Sequence, residues 1–318
     1  NLTKRLLEIT NSSIFNIDNL SYSSNIFFNK TIKNEFKNYN HLKIDLNNFE
    51  DLNKTITEIN PDLILHLAAE THVDRSIDSP NKFIQTNILG TFNLLEASRK
   101  IWSSMSSRKK RIFKIIHIST DEVFGSLNEK GYFNERTQIN PTSPYSSSKA
   151  SSDHLVNAWF HSFGLPTIIT NCSNNYGPYQ FPEKLIPLTI MKCLTNKKIP
   201  LYGDGSNIRD WIYVEDHVDA LINLIVKGKI GERYCIGGEE EKTNKEVVKK
   251  ICDIMDRIMP KSNSYKELIH YVIDRPGHDF RYAVSNKKIN NELKWFPKFN
   301  FKNALKKTVE WYYQNYFK

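Results

Sequence analysis

The 318-residue chain carries two short groups of side chains whose types and spacing suit proton transfer. The first is Thr120-Asp121-Glu122, a hydroxyl and two carboxylates closing the apolar, β-branched run Lys114-Ile-Ile-His-Ile-Ser-Thr120. The second is Tyr145-Ser-Ser-Ser-Lys149, which opens a helical pattern just after Pro141 and Pro144. Four residues apart at a helix start, Tyr145 and Lys149 share one face. A free tyrosine ionises near pH ~10, too high for a base at neutral pH, but an ammonium beside it favours the phenolate. Asp121 and Glu122 can address different parts of one substrate, one carboxyl kept protonated as an acid and the other ionised as a base. The same two residues also suit the first turn of a helix, where the dipole favours acids, and their types alone leave both readings open.

These groups need a frame, and the apolar pattern supplies one. Strands are expected at Ile14–Asp18, His41–Asp45, Asp62–Ala69, Lys114–Thr120 and Leu165–Asn171. Helices are expected at the start (Asn1–Thr10), over Phe49–Ile59, over Pro80–Ile101 and from Tyr145 to Phe163. Strands alternating with helices predict an α/β fold with a Rossmann-like, doubly wound parallel sheet, whose ligands sit beyond the carboxyl ends of the strands. Asp18 ends what would be the second strand of such a fold, where an acid takes the two hydroxyls of an adenosine ribose. An acid there repels a 2′-phosphate and no Arg follows it, so NAD is favoured over NADP; a turn-forming Asp before Asn19 is the alternative. An acid and a base beside a redox cofactor fit elimination of water better than simple alcohol oxidation.

A dinucleotide fold opens with a strand and a glycine-rich turn that holds the pyrophosphate at a helix N-terminus. No such glycine motif occurs in this sequence. The chain therefore reads as an N-terminally truncated copy, expected to be inactive until about 15 to 20 residues are restored. Residues 1–180 are expected to form the NAD-binding domain. Residues 181–318 are expected to form mainly a smaller mixed α/β substrate region, with some chain returning to the first domain. In that second half, Cys172–Pro182 reads as loop, Pro200–Gly205 as strand and turn, and Arg209–Val214 as strand. Glu215–Val226 reads as a helix, Asp274–His278 as a tight loop and Phe301–Tyr316 as a closing helix.

The net charge of +9 is spread over surface positions, and the one dense run, Arg108–Arg111, lies in a Ser-rich stretch read as a solvated loop. A basic balance suits a diphosphate-bearing substrate, and no nucleic-acid role is expected. No run of about 18 apolar residues predicts a membrane span. Cys172, Cys193, Cys235 and Cys252 fit neither a metal nor a CxxC spacing, so no metal is expected, and reduced thiols in a cytoplasmic protein are.

Longer motifs then carry a resemblance. They are His66-Leu-Ala-Ala-Glu-Thr-His-Val-Asp-Arg-Ser76, Ile118-Ser-Thr-Asp-Glu-Val123 and Ser143-Pro-Tyr-Ser-Ser-Ser-Lys-Ala-Ser-Ser-Asp-His154. Further motifs are Asn171–Tyr179, Pro182–Pro187, Arg209–Asp216 and Asp274-Arg-Pro-Gly-His278. With them the chain resembles, end to end, the dTDP-glucose 4,6-dehydratases of the extended short-chain dehydrogenase/reductase superfamily. The resemblance implies an NAD-dependent hydro-lyase for dTDP-glucose, feeding deoxysugar synthesis. It gives Tyr145, helped by Thr120, the proton of the sugar 4-hydroxyl as hydride leaves C4. Glu122 takes the C5 proton, Asp121 protonates the departing 6-hydroxyl, and hydride returns to C6.

For the cofactor the resemblance points to Asp18, Asn19, Ser21, Asp45, Leu46, Leu67, Ala68, Ala69, Thr86, Tyr145, Lys149 and Asn175. For the nucleotide-sugar it points to Thr71, Thr120, Asn174, Lys184, Leu185, Pro200, Tyr202, Arg209, Asn244, Arg275 and His278. Arg209 and Arg275 suit a diphosphate through paired donors, surface ion pairs being the alternative. The resemblance also implies a homodimer through helices near residues 80–101 and 143–163. His66 and His72 read as packing or supporting groups, and Trp211 and Tyr213 as core. Competing readings are a UDP-glucose 4,6-dehydratase, a nucleotide-sugar 4-epimerase, which needs no Asp–Glu pair, and an inactive dinucleotide-binding scaffold.

Overall fold

The computed structural model describes residues 1–316, apart from the side chains of residues 26 and 27. The chain begins α1 (Leu2–Ile9), β1 (Ile14–Asp18), α2 (Ile26–Glu35), β2 (Tyr39–Lys43), α3 (Phe49–Ile59) and β3 (Leu63–His66). It continues with α4 (Val73–Asp78), α5 (Pro80–Phe83), α6 (Gly90–Ser104), α7 (Ser107–Ile112), β4 (Lys114–Thr120), α8 (Pro144–Phe163) and β5 (Thr167–Cys172). Next come β6 (Asn174–Tyr176), α9 (Leu185–Leu194), β7 (Ile199–Tyr202), β8 (Ile208–Tyr213), α10 (Val214–Lys227) and β9 (Arg233–Ile236). The last elements are β10 (Glu241–Thr243), α11 (Asn244–Ile258), β11 (Ile269–Val272), α12 (Lys287–Leu293) and α13 (Phe301–Tyr316).

Two compact units result. The first takes Asn1–Val123, Ile139–Asn171 and Ile222–Tyr234; the second takes Phe124–Gln138, Cys172–Leu221 and the chain from Cys235 onward. In the first unit β1 pairs in parallel with β2, from Ile14 opposite Tyr39 to Asp18 opposite Lys43. A separate sheet has the order β3-β4-β5-β9, with β3 parallel to β4 and His66 opposite His117. Ile115, Ile116, Ile168 and Ile169 are buried, as expected for inner strands of a sheet covered on both faces. β1 and β3 lie at sheet edges, and Ile14, Ile17, Ile64 and Leu65 are only partly buried. α3 turns Leu52 and Ile56 onto α6 and β4, where Leu94, Leu95, Ile115, Val156 and Ile169 complete the core. Asn48 caps α3 by accepting from Asp51 N, and a left-handed Asn60 before Pro61 ends it.

Several local expectations are corrected. β2 stops at Lys43, leaving Asp45 to form a turn in which its Oδ1 accepts from Asn47 N (2.9 Å). β3 keeps only four residues of the expected Asp62–Ala69 run, and β5 starts at Thr167. The single helix expected over Pro80–Ile101 is broken by a π-helical turn at Ile84–Leu89 and preceded by α4. The basic run is helical: α7 is capped by Ser106, and Lys109, Lys110 and Arg111 fall in its last turn, where the dipole favours cations.

The second unit is built on a sheet of order β10-β8-β6, with β8 antiparallel to β10 and parallel to β6. β6 occupies part of the expected Cys172–Pro182 loop and sets Asn174 opposite Trp211. Three residues are too few for a period-2 pattern to show. Trp211 and Tyr213 pack with Tyr176, Val248, Ile251, Phe301, Leu305 and Val309, so both aromatics are core as expected. A Cβ on Gly238 would lie 1.9 Å from Trp211 O, so the close approach of backbones there admits only glycine.

Candidate active site

β4 delivers its polar end as the sequence predicts. Beyond Thr120 the chain enters a single 3-10 turn, Asp121–Phe124, with both acids in it. Thr120 Oγ1 accepts from Glu122 N (3.2 Å) and donates to Asp121 Oδ1 (3.3 Å), so the hydroxyl sets the turn. Asp121 is 1% exposed, whereas Glu122 is partly exposed. Two neighbouring carboxyls thus have different surroundings, the condition for dividing acid and base duties.

The α8 start is equally well determined. Ser143 is the N-cap: its Oγ accepts from Ser146 N (3.1 Å) and Ser146 Oγ accepts from Ser143 N (3.0 Å). Pro144 at the first helical position fixes the backbone angle the helix needs. Tyr145 and Lys149 follow, both buried, the Tyr145 ring lying edge-on to Phe83 at 6.3 Å. Lys149 Nζ donates to Ile118 O (2.9 Å), two residues before Thr120. This bond brings the tyrosine–lysine pair and the Thr120 group to the same end of β4.

Residues that sequence reasoning passed over hold this end together. Asn87, in the π-helical turn, exchanges bonds with the backbone of Glu70 (2.9 and 3.0 Å) and donates to Ser148 Oγ (2.8 Å). Ser148 in turn donates to Tyr145 O (2.7 Å). A polar residue within an otherwise apolar helix face is the signal that could have found Asn87. The His66 and His117 rings lie tilted to each other at 5.1 Å, and burial first, with the neighbouring ring and the Lys149 cation adding to it, lowers both, His117 down to about 4. Thr91 Oγ1 donates to Asn87 O, so it accepts from His66 Nε2, which fixes the His66 tautomer. His66 is a supporting group, as expected; His72 caps α4 by accepting from Arg75 N.

Most cofactor candidates of the first unit lie at or just past the carboxyl ends of β1, β2 and β3. Asp18 Oδ1 accepts from Leu20 N (2.7 Å) and Ser24 Oγ (3.0 Å), so both local bonds fall on one oxygen. Asn19 joins the β1 and β2 loops through Asp45 Oδ2 (3.3 Å) and takes Ser21 N on its own Oδ1. Leu46 O accepts from Asn93 Nδ2, and Gly90 lets α6 approach the Leu46 side chain. Leu67, 48% exposed, and Ala68 offer apolar surface just past β3, followed by Ala69 and an exposed Thr71. Thr86 lies in the π-helical turn. An acid for ribose, apolar strand ends and a buried lysine beside a tyrosine fit NAD.

In the second unit, Asn174 and Asn175 lie on β6, and Asn175 Oδ1 accepts from His217 Nδ1 (2.8 Å). Lys184 and Leu185 start α9, Pro200 and Tyr202 lie on β7, and Asn244 starts α11. His278 bonds Asp274 Oδ1 (2.6 Å), stands edge-on to Tyr202 and follows the half-buried Arg275 in one tight loop, as expected. Arg209 is no surface ion pair: it is buried, its Cζ lies 4.2 Å from the Tyr282 ring, and its guanidinium donates to the carbonyls of Ile208, Asp279 and Phe280. Among the described residues no helix is long and apolar enough to cross a membrane, and no cluster of three potential metal ligands occurs. All four cysteines are free.

The fold, with its parallel sheet and helix-start tyrosine–lysine pair, is that of the Rossmann-type NAD-binding dehydratases and epimerases. Residues 1–308 match the family model described as GDP-mannose 4,6 dehydratase. The chain is 50% identical to the dTDP-glucose 4,6-dehydratase of Salmonella typhimurium, over 99% of this chain and 89% of that protein. It is similar to the crystal structure of the Bacillus anthracis dTDP-glucose 4,6-dehydratase in complex with NAD: TM-score 0.86, 43% identity, 99% and 93% coverage. The Streptomyces venezuelae dTDP-glucose 4,6-dehydratase, solved with NAD and TDP bound, gives TM-score 0.88 at 34% identity, again with 99% and 93% coverage. The chain belongs to the dTDP-glucose 4,6-dehydratase family.

Proposed function

We propose that this protein dehydrates dTDP-glucose to the 4-keto-6-deoxy sugar, in the cytoplasm and as a homodimer, feeding deoxysugar synthesis. NAD, when bound, supplies the hydride acceptor and donor of an internal redox cycle. The chain's own residues handle protons and position. Tyr145 takes the proton of the sugar 4-hydroxyl, with the Lys149 ammonium favouring its phenolate and Thr120 holding the hydroxyl. A ketone at C4 acidifies the C5 proton, which Glu122 removes while Asp121 protonates the departing 6-hydroxyl. Buried Asp121 suits the acid and the more exposed Glu122 the base. That difference between two adjacent carboxyls carries the reading, and it disfavours a 4-epimerase, whose chemistry needs neither.

Asp18, Asn19, Ser21, Asp45, Leu46 and Leu67 to Ala69 are assigned to NAD, with Thr86 and Asn175. Thr71, Asn174, Lys184, Leu185, Pro200, Tyr202, Arg209, Asn244, Arg275 and His278 are assigned to the nucleotide-sugar. The test is Asp121→Asn. Dehydration should fall at least about 100-fold while oxidation at C4 persists, seen as reduced nicotinamide on mixing with substrate. Product formed at the wild-type rate would remove Asp121 from the mechanism.

A further inference from the structure

Behind Thr120 lies a buried polar cluster that the proton transfers above do not use. Asp153, on α8 one turn past Lys149, is fully buried and meets three strands. Its Oδ2 accepts from Arg233 Nη1 at the start of β9 (2.8 Å) and from Asn171 Nδ2 near the end of β5 (3.1 Å). Its Oδ1 lies 3.2 Å from His117 Nε2 in β4. Asn171 is the shared member: the same Nδ2 donates to the main-chain oxygen of Thr120 (2.9 Å), and its Oδ1 accepts from Arg233 Nη1. Burying a carboxylate against a partly exposed guanidinium costs desolvation that apolar residues of similar volume would avoid, so stability is a poor reason for the cluster.

What it does hold is the peptide unit between Thr120 and Asp121. A side-chain amide bonds this carbonyl, and the amide is itself clamped from both sides. Fixing that unit fixes the direction from which the Thr120 hydroxyl and both carboxylates project. We propose that Asn171, Asp153 and Arg233 are positioning residues that hold the Thr120 carbonyl and thereby aim the Asp121–Glu122 pair. The inference rests on the acid and base roles given above. A displacement of about 1 Å at a reacting group is enough to cost 10²-fold in rate.

Arg233 reaches both partners through one nitrogen, Nη1, a contact that a lysine ammonium can copy and a methionine cannot. The experiment compares Asn171→Leu, Arg233→Met and Arg233→Lys in the full chain. It reads kcat and KM for dTDP-glucose per NAD-bearing molecule, exchange of solvent deuterium into C5, and the thermal midpoint. Asn171→Leu and Arg233→Met should lower kcat and C5 exchange together by about 10- to 100-fold, with KM changed by no more than about two-fold. Arg233→Lys, whose ammonium carries donors for both acceptors, should recover part of the kcat lost in Arg233→Met. A purely structural cluster would lower the thermal midpoint and the NAD-bearing fraction but leave kcat per NAD-bearing molecule intact, which would overturn the proposal. So would an Arg233→Lys variant no better than Arg233→Met, a comparison that stands even where Asn171→Leu does not fold. A wild-type protein that does not dehydrate dTDP-glucose would instead overturn the activity on which the proposal rests.

Discussion

Replacing Ser143 by Ala tests how the helix start sets the chemistry. Ser143 Oγ satisfies the N–H of Ser146, and Ser146 Oγ returns the bond to Ser143 N. Ser143 is 8% exposed, so water cannot readily take the lost place. Loss of an N-cap costs about 1 kcal/mol, and a buried N–H left without a partner costs about 1 to 3 kcal/mol. These overlap, since the same donor is counted in both, and a total of about 1 to 3 kcal/mol follows. For a chain of this size each kcal/mol moves the melting midpoint by about 2 to 4 °C, so a drop of roughly 2 to 12 °C is expected in a thermal melt. Tyr145 sits only two residues beyond the cap and Lys149 is tied to Ile118 O, so the helix frays from the end that carries the tyrosine. Activity at a temperature well below the melt should fall about three- to ten-fold, chiefly in kcat. An unchanged midpoint would refute the argument that this cap holds the helix start. Complete loss of turnover with an unchanged midpoint would place Ser143 itself in the chemistry.

Stability should fall on acidification. Burial pushes His217 down to about 4, while an unfolded histidine titrates near ~6.5. Between these values the unfolded chain takes up a proton that the folded chain refuses, so stability present above pH ~6.5 is lost as pH falls toward 4, by about 3 kcal/mol for this ring. Asp210 works the other way: burial raises it to about 6, so its contribution grows as pH falls from about 6 toward 4. His217→Gln, which can still donate to Asn175 Oδ1, should flatten the loss of urea midpoint between pH 7 and 5, and an unchanged slope would count against the assignment. The homodimer is testable at Phe92, 38% exposed on α6 beside Trp159 (5.7 Å). Phe92→Lys should halve the solution mass by light scattering; a dimer that persists, or a monomeric parent, would move the interface elsewhere or remove it.

The sequence carried most of the frame because its strongest signals are local. α3 is bounded by Asn48 and Pro61, α8 by Ser143 and Gly164, and β4 by the switch from β-branched residues to Thr120-Asp121-Glu122. The misread pieces lack such signals. β6 has only three residues, the π-helical turn follows a hydrogen-bond shift that the 3.6-residue pattern does not show, and α7 has only six residues with no buried apolar face. Side-chain roles divide similarly. Thr120, Asp121, Glu122, Tyr145 and Lys149 are candidates by type and spacing. The Arg209 contacts with carbonyls some 70 residues away, and the Asp153–Asn171–Arg233 cluster drawn from three elements, follow from tertiary structure alone. The nucleotide-sugar residues came from the resemblance, since isolated residues such as Pro200 or Asn244 bear no chemical mark.

The most direct measurement incubates the full-length protein with dTDP-glucose and, separately, with UDP-glucose, with and without added NAD, and follows the 4-keto product by its alkaline absorbance. Product is expected from dTDP-glucose and much less from UDP-glucose. Equal product from both would widen the substrate to nucleoside-diphosphate glucose at large. No 4-keto-6-deoxy product from either sugar, with NAD supplied, would contradict the dehydratase assignment.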